Sequence, residues 1–244
     1  MAKRPQAPEE IFQLFQKDML ETFPGEVEAI YLYGSGARGD FDPKRSDINF
    51  LVVLNDEGME HIERAADLVR RWGKRGVAMP LFLTRDYIAS SLDSFPIEFL
   101  NIKLSHKVVY GEDFISDLEI SKEALRLQCE EQTKSKLLHL RASVLSTWNQ
   151  KRPLAAFLTM TVPTFLSLFR VLLALHDHQP PKDAGAVFQQ TTELYHLDEK
   201  VFEKLAALRA RPSKLSLPEL QSLAKSLIGQ LKYLSEVIDQ WKIA

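Results

Sequence analysis

The chain has 244 residues, 45% hydrophobic and 26% charged, and its 31 basic against 33 acidic side chains leave a formal charge of −2. This is the composition of a globular chain of one large or two modest domains, and it excludes collagen-like, disordered and multi-span membrane classes. Near-neutrality argues against a protein that coats nucleic acid, and a single cysteine, Cys129, excludes an intrachain disulfide or a zinc site built on two thiolates.

From the N-terminus, Met1 to Pro5 lead into Glu9, Glu10 and Lys17 without the apolar core of a secretory signal, so a reducing, cytoplasmic setting is expected. After Pro8, Ile11, Leu14, Phe15 and Met19 fall at helical spacing, with Glu9 and Glu10 suited to the first turn. Residues 29–33 and 48–54 read as strands, and between them lies a loop of glycine, aspartate, proline and basic residues. Ile62, Ala65, Ala66, Val69 and Trp72 predict a helix that stops at Gly73, with Arg70, Arg71 and Lys74 near its C-terminal end. Further strands are predicted at about 77–83, 97–104 and 107–110. Residues 1–116 are therefore expected to form an α/β (α+β) domain with a mixed sheet.

Beyond Ser116 the strand signals stop. Leu125, Cys129, Leu137, Arg141, Val144 and Trp148 suit a long helix, and a second runs from Leu154 to about His178. Shorter helices follow near 183–195 and 199–210, the latter with Asp198 as N-cap. The last opens on the capping box Ser216-Leu217-Pro218-Glu219 and continues through Leu220, Leu223, Leu227, Leu231, Leu234, Ile238 and Trp241. Residues 117–244 are thus expected to be an all-α antiparallel bundle that binds a substrate or a partner. Residues 154–175 are long enough to span a bilayer, with Arg170 as their only charge. Three threonines, a serine and Pro163 interrupt them, and the amphipathic neighbours favour a central bundle helix over a membrane partner. Residues 1–116 carry 14 basic and 19 acidic side chains, net −5, which leaves +3 for the remainder.

Gly34-Ser35-Gly36-Ala37-Arg38-Gly39 follows a strand and fits G-x-G-x-x-G as a string. A dinucleotide fold needs a full helix next, and Asp40, Asp42 and Pro43 leave no room for one before the strand that begins near Asp47. A P-loop fails too, because no Lys-Ser or Lys-Thr follows the glycines. The whole stretch from Leu32-Tyr33-Gly34-Ser35 through Ala37-Arg38-Gly39 to Arg45-Ser46-Asp47-Ile48-Asn49-Phe50 resembles the nucleotidyltransferase superfamily, of the polymerase-beta-like fold and the kanamycin or minimal type. Members have a strand ending in Gly-Ser, a loop often carrying Ala-Arg-Gly, then Ser-Asp-x-Asp/Glu opening a hydrophobic strand.

The resemblance implies transfer of an NMP from an NTP to a hydroxyl of a small molecule or protein, with Mg²⁺ or Mn²⁺ as cofactor. Asp47 is then the catalytic metal ligand, with Asn49 as a second ligand, since residues i and i+2 of a strand share a face. Gly34 and Ser35 would hold phosphate oxygens, and Arg38, Lys44 and Arg45 either add phosphate contacts or are solvated loop charge. The expected partners are the nucleotide and its acceptor or a protein, with a homodimer as one arrangement and no extended nucleic-acid surface.

The pattern departs from the family at two points. Its second carboxylate is Asn49 here, which brings an amide oxygen but no charge. The strand expected to carry a third acid, residues 79–84, has none. Two replacements offer themselves: Glu98, in an apolar segment read as a strand, and Glu130 or Glu131 on the first bundle helix, because kanamycin-type relatives draw their base from the helical domain. Glu130 with Lys134 at i,i+4 also reads as a plain ion pair. His176-Asp177-His178 suits a helix end as well as a metal, and Arg170 would face a ligand, pair with an acid or reach the surface. The alternative to an enzyme is a catalytically impaired nucleotide-binding regulatory or interaction module.

Overall fold

The computed structural model describes residues 4–210 and 215–241. Its contacts divide the chain into two compact units, Met1–Ile120 and Ser121–Ala244.

The first unit begins with a 3₁₀ turn at Pro8–Ile11 that runs into helix α1, Phe12–Thr22. Strand β1, Val27–Tyr33, ends in the one-turn helix α2, Ser35–Arg38, and strand β2, Asn49–Leu54, follows the loop. Next come α3, Asp56–Glu60, a 3₁₀ turn at Ile62–Ala65, α4, Ala66–Gly73, and β3, Leu81–Leu83. The unit closes with α5, Arg85–Ser90, α6, Pro96–Leu104, and β4, His106–Gly111.

The four strands lie in the order β3-β2-β1-β4, with β1 antiparallel to both neighbours and β2 parallel to β3, so the sheet is mixed. Strand alternation sends Ile48, Phe50, Val52 and Leu54 to one face, where they pack with Phe15 and Met19 of α1 and Leu68 and Trp72 of α4. Leu51 and Val53 go to the other face, with Ala29 and Tyr31, under Ile88 of α5 and Phe99 and Ile102 of α6. Both faces are covered, which is why β1 and β2 are apolar almost throughout.

Two predicted strands change. Residues 97–104 form α6 instead: a short apolar run has no period that separates a buried strand from a buried helix, and Pro96 in the first turn favours the helix. Glu98 in its first turn and Lys103 in its last also complement the helix dipole. The predicted strand at 77–83 shrinks to β3 plus a single bridge from Val77 to Ile48, because Pro80 has no N–H for the ladder.

The second unit holds α7, Lys122–Thr147, α8, Lys151–Leu175, α9, Ala184–Tyr195, α10, Glu199–Ala210, and α11, Leu217–Gln240. The Asp198 carboxylate accepts the Lys200 N–H and so caps α10. The Glu219 carboxylate accepts both the N–H and the hydroxyl of Ser216 at the start of α11. α8 is the one described helix long and apolar enough to cross a membrane, and 61% of its most apolar window is buried inside the protein. Arg170 on it is 6% exposed and donates to the Lys182 carbonyl in the turn that leads to α9. Cys129 on α7 is fully buried, and burial pushes its thiol up to about 12.

Phe15 anchors the first core: it is 0% exposed, stacks on Phe50 at 4.0 Å and meets Trp72 edge-on at 5.4 Å. Phe15→Ala should cost about 3–5 kcal/mol in urea unfolding. A loss below about 1 kcal/mol would show that the aromatic layer closes around the gap.

Candidate active site

The site is built where β1 and β2 end together. Their antiparallel register pairs Tyr33 with Asn49, so Gly34 and Asn49 are neighbours across the strand ends. Gly34 has φ +74° and ψ −145°, backbone that only glycine adopts readily, and a Cβ there would stand 3.3 Å from the Asn49 Nδ2. Its N–H donates to the Ser105 carbonyl at the end of α6, which ties the turn to the sheet face. Gly34's carbonyl accepts the N–H groups of Ala37 and Arg38, so those of Ser35 and Gly36 precede the first bond of α2. Gly39, at φ +93°, ends the turn.

Asp47 and Asn49 lie on the face opposite the fully buried Ile48 and Phe50. The Asp47 side chain is 67% exposed, and its Oδ1 is 3.2 Å from Nη2 of Arg4. Level with it on the parallel neighbour, Ile48 exchanges hydrogen bonds with Gly76 and Ala78, and the residues there are Gly76, Val77, Ala78 and Met79. None is acidic.

The loop carries its own charge pairs. Arg38 Nε lies 3.3 Å from Asp40, and Arg45 Nε lies 3.9 Å from Asp42. Asp42 also accepts the Lys44 N–H and, through its carbonyl, those of Arg45 and Ser46, which makes a tight turn just before Asp47. Arg38, Lys44 and Arg45 thus sit in the same loop as Gly34, Ser35 and Asp47, with two of the three basic groups matched by loop acids.

Of the two replacement acids, Glu98 lies in this unit, away from the Gly34 turn. Glu98, read from sequence as a strand residue, is exposed in the first turn of α6. Seven residues separate it from Ser105, the residue that meets Gly34, a rise of roughly 10 Å along the helix. Glu130 belongs to the second unit, where Lys134 and Arg126 both bond its carboxylate and Lys134 also reaches Asp239. The Lys134 hydrogen bond, against burial and with help from Arg126, holds the Glu130 carboxyl below its usual value, as an ion-pair network does. Glu131 is exposed on the same helix.

His176, Asp177 and His178 do not form a metal cluster. His176 stacks on Trp241 at 4.3 Å and Asp177 pairs with Lys122. Among the described residues, no group of three His, Cys, Asp or Glu side chains gathers to hold a metal.

Two side chains at this end of the sheet escaped the sequence reading. His106, opposite Tyr33 on β4, has its Nδ1 at the Ile102 and Lys103 carbonyls and its Nε2 3.0 Å from Asp113, so both ring nitrogens are spent on structure. Arg4 meets Asp47 across 43 positions of sequence, and no local pattern signals such a pair. Gly36 has a packing role beyond its turn: a Cβ there would lie 3.1 Å from Pro8 and 3.2 Å from Leu32.

The donor set is one carboxylate, Asp47, one amide oxygen, Asn49, and the nearby Ser35 hydroxyl. Such oxygens fit a single magnesium-like cation completed by water and phosphate, and the guanidinium already drawn to Asp47 shows that the position attracts positive charge. They do not fit a pair of divalent cations, for which the acids are too few.

Residues 13–145 match the family model for the nucleotidyltransferase domain, more than half of the chain. The chain belongs to the nucleotidyltransferase family. Among solved structures it is similar to spectinomycin adenyltransferase AAD(9) from Enterococcus faecialis, solved with ATP and spectinomycin. That likeness covers 91% of this chain and 99% of the other at a TM-score of 0.51 and 15% identity, and it is a likeness of fold. No curated protein sequence matches the chain.

Gly34→Ala should cost about 1–3 kcal/mol by thermal or urea unfolding, because it adds backbone strain and presses on Asn49. A neutral effect would mean the turn relaxes. The Glu130 network has a pH signature. A carboxyl held below its ordinary value of 4.5 stabilises the folded state fully above that value, and the contribution fades as pH falls through the lowered one. Glu130→Gln should therefore be less stable than the native protein at pH 6, with the gap closing on acidification. A gap independent of pH would refute the assignment.

Proposed function

We propose that this nucleotidyltransferase binds an NTP against the Gly34–Ser35 turn and transfers its NMP to a hydroxyl of a small molecule, with one divalent cation at Asp47. The observation that supports this reading is the β1–β2 register, which sets the Gly34 turn beside Asn49, two residues from Asp47. The N–H groups of Ser35 and Gly36 and the Ser35 hydroxyl are donors for phosphate oxygens. Arg38, Lys44 and Arg45 add positive charge around the triphosphate, and Asp47 and Asn49 would hold the cation. When bound, Mg²⁺ or Mn²⁺ supplies charge neutralisation at the triphosphate. In the transfer, the acceptor hydroxyl oxygen bonds to the α-phosphorus and gives its proton to solvent, the bond from that phosphorus to the bridging oxygen breaks, and pyrophosphate leaves with its electron pair.

The small-molecule acceptor rests on the adenyltransferase fold neighbour and on a concavity of the helical unit. That cavity, of about 390 Å³ between α7 and α8, is lined by His139, Phe157, Met160, Thr161 and Thr164 among others. Its volume and mostly apolar lining with a few polar groups suit a drug-sized ligand. In this reading residues 1–116 are the nucleotide-binding domain and 117–244 the substrate-binding domain.

A second reading, a nucleotide-binding protein without turnover, is favoured by Asn49 and by the acid-free stretch Gly76 to Met79. A unit charge about 4 Å away at an effective dielectric of 20 is worth roughly 4 kcal/mol, so the missing carboxylate weakens any second cation by well over tenfold.

Calorimetry with the four NTPs and Mg²⁺ should show binding to the native chain, about fivefold weaker in Ser35→Ala, which lacks one hydrogen bond. Asp47→Asn should bind more than about tenfold more weakly, having lost the charge on the cation. No binding of any NTP at millimolar concentration would reject the reading. Pyrophosphate release by the native protein with an acceptor pool selects the enzyme, whereas release only by Asn49→Asp selects the binding protein.

A further inference from the structure

The N-terminal arm crosses the site and is held there from several points. Pro8 is buried beside Gly36, the Lys107 Nζ stands 2.6 Å from Glu9, and the Glu10 carboxylate accepts the N–H groups of Gln6 and Ala7. Ahead of these anchors Pro5 is buried and Arg4 extends over Gly76. Gly76 has φ +85°, and a Cβ there would come 2.5 Å from the Arg4 Nε, so the absence of a side chain at Gly76 is what seats the guanidinium.

From that seat, one nitrogen of Arg4, Nη2, donates both to Oδ1 of Asp47 and to the carbonyl oxygen of Ser46. A carboxylate oxygen and an adjacent backbone carbonyl are the donors a hard divalent cation takes. Because position 49 is an amide, Asp47 is the only formal charge of the Asp47–Asn49 pair, and Arg4 cancels it.

We propose that Arg4 is the resident cation of the nucleotide site: it holds the position on Asp47 that a divalent cation takes, and the arm must release Asp47 before that cation loads. This rests on the reading of Asp47 as a cation ligand, and it adds a competitor supplied by the chain itself. Two positive charges on one carboxylate repel, so the better Arg4 is seated the weaker the metal binds. The competition takes place at an exposed carboxylate and weakens with salt.

The test is Mn²⁺ binding to the full-length protein at low ionic strength without nucleotide, followed by electron paramagnetic resonance of the free ion. The native chain is compared with Arg4→Met, Arg4→Lys and Asp47→Asn, all shown to be folded by thermal unfolding. Arg4→Met should bind Mn²⁺ about threefold or more tightly than the native chain, the scale of an exposed ion pair. Arg4→Lys, which keeps the charge, should stay within about twofold of native, and Asp47→Asn should lose the site. High salt should narrow the difference between native and Arg4→Met. Equal or weaker Mn²⁺ binding by Arg4→Met, including no binding to either protein, overturns the proposal. The nucleotide titrations separate the two readings: NTP binding with no Arg4 effect sinks only the role of Arg4, while Mn²⁺ tightening in Arg4→Met without any NTP binding sinks only the nucleotide reading.

Discussion

The antiparallel pairing of β1 with β2 is the constraint on which the first unit depends. Its register, Tyr33 opposite Asn49 and Leu32 opposite Phe50, decides which residues face α1 and α4 and which face α5 and α6. The same register places the glycine turn at the end of one strand beside Asp47 and Asn49 at the start of the other. A slip of one residue would turn Asp47 and Asn49 into the Phe15–Trp72 core and bring Ile48 and Phe50 to the face that carries the site. Burial of the aromatic layer thus fixes the geometry of the polar site, and core packing and chemistry are two results of one ladder.

The sheet and its site differ in how they were legible. Continuous apolar runs and the Gly-Ser and Ser-Asp-x-Asn signatures are local, so β1, β2, the loop and the position of Asp47 could be read from short windows. The bundle helices, with sustained stripes and clear caps at Asp198 and Ser216, were legible for the same reason. Residues 97–104 were not, because eight apolar-rich residues carry no decisive period and the neighbouring Pro96 fits the first turn of a helix. Glu98 looked unusual only on the premise of a strand; in a helix's first turn an exposed glutamate is ordinary. Arg4 and Gly76 lie at opposite ends of a long sequence gap, and only the folded chain brings them together. Glu130 was readable as a member of i,i+4 pairs with Lys134 and Arg126, whereas Asp239, which meets Lys134, comes from α11.

Charge around the site is arranged as matched pairs rather than as a field. Asp40 has Arg38, Asp42 has Arg45, and Asp47 has Arg4. Pairs of this kind near the surface contribute little to stability and are weakened by salt. The net charge of the unit, −5 through residue 116, therefore says less about the site than the local pairing does.

Cys129 lies in the interior of the second unit, with its thiol raised to about 12. At neutral pH almost none of it is thiolate, and the thiolate is the reactive form. The chain consequently comes with no competing nucleophilic sulfur. A cysteine introduced at a surface position is then the sole target for a maleimide dye or spin label, and the native background needs no prior removal.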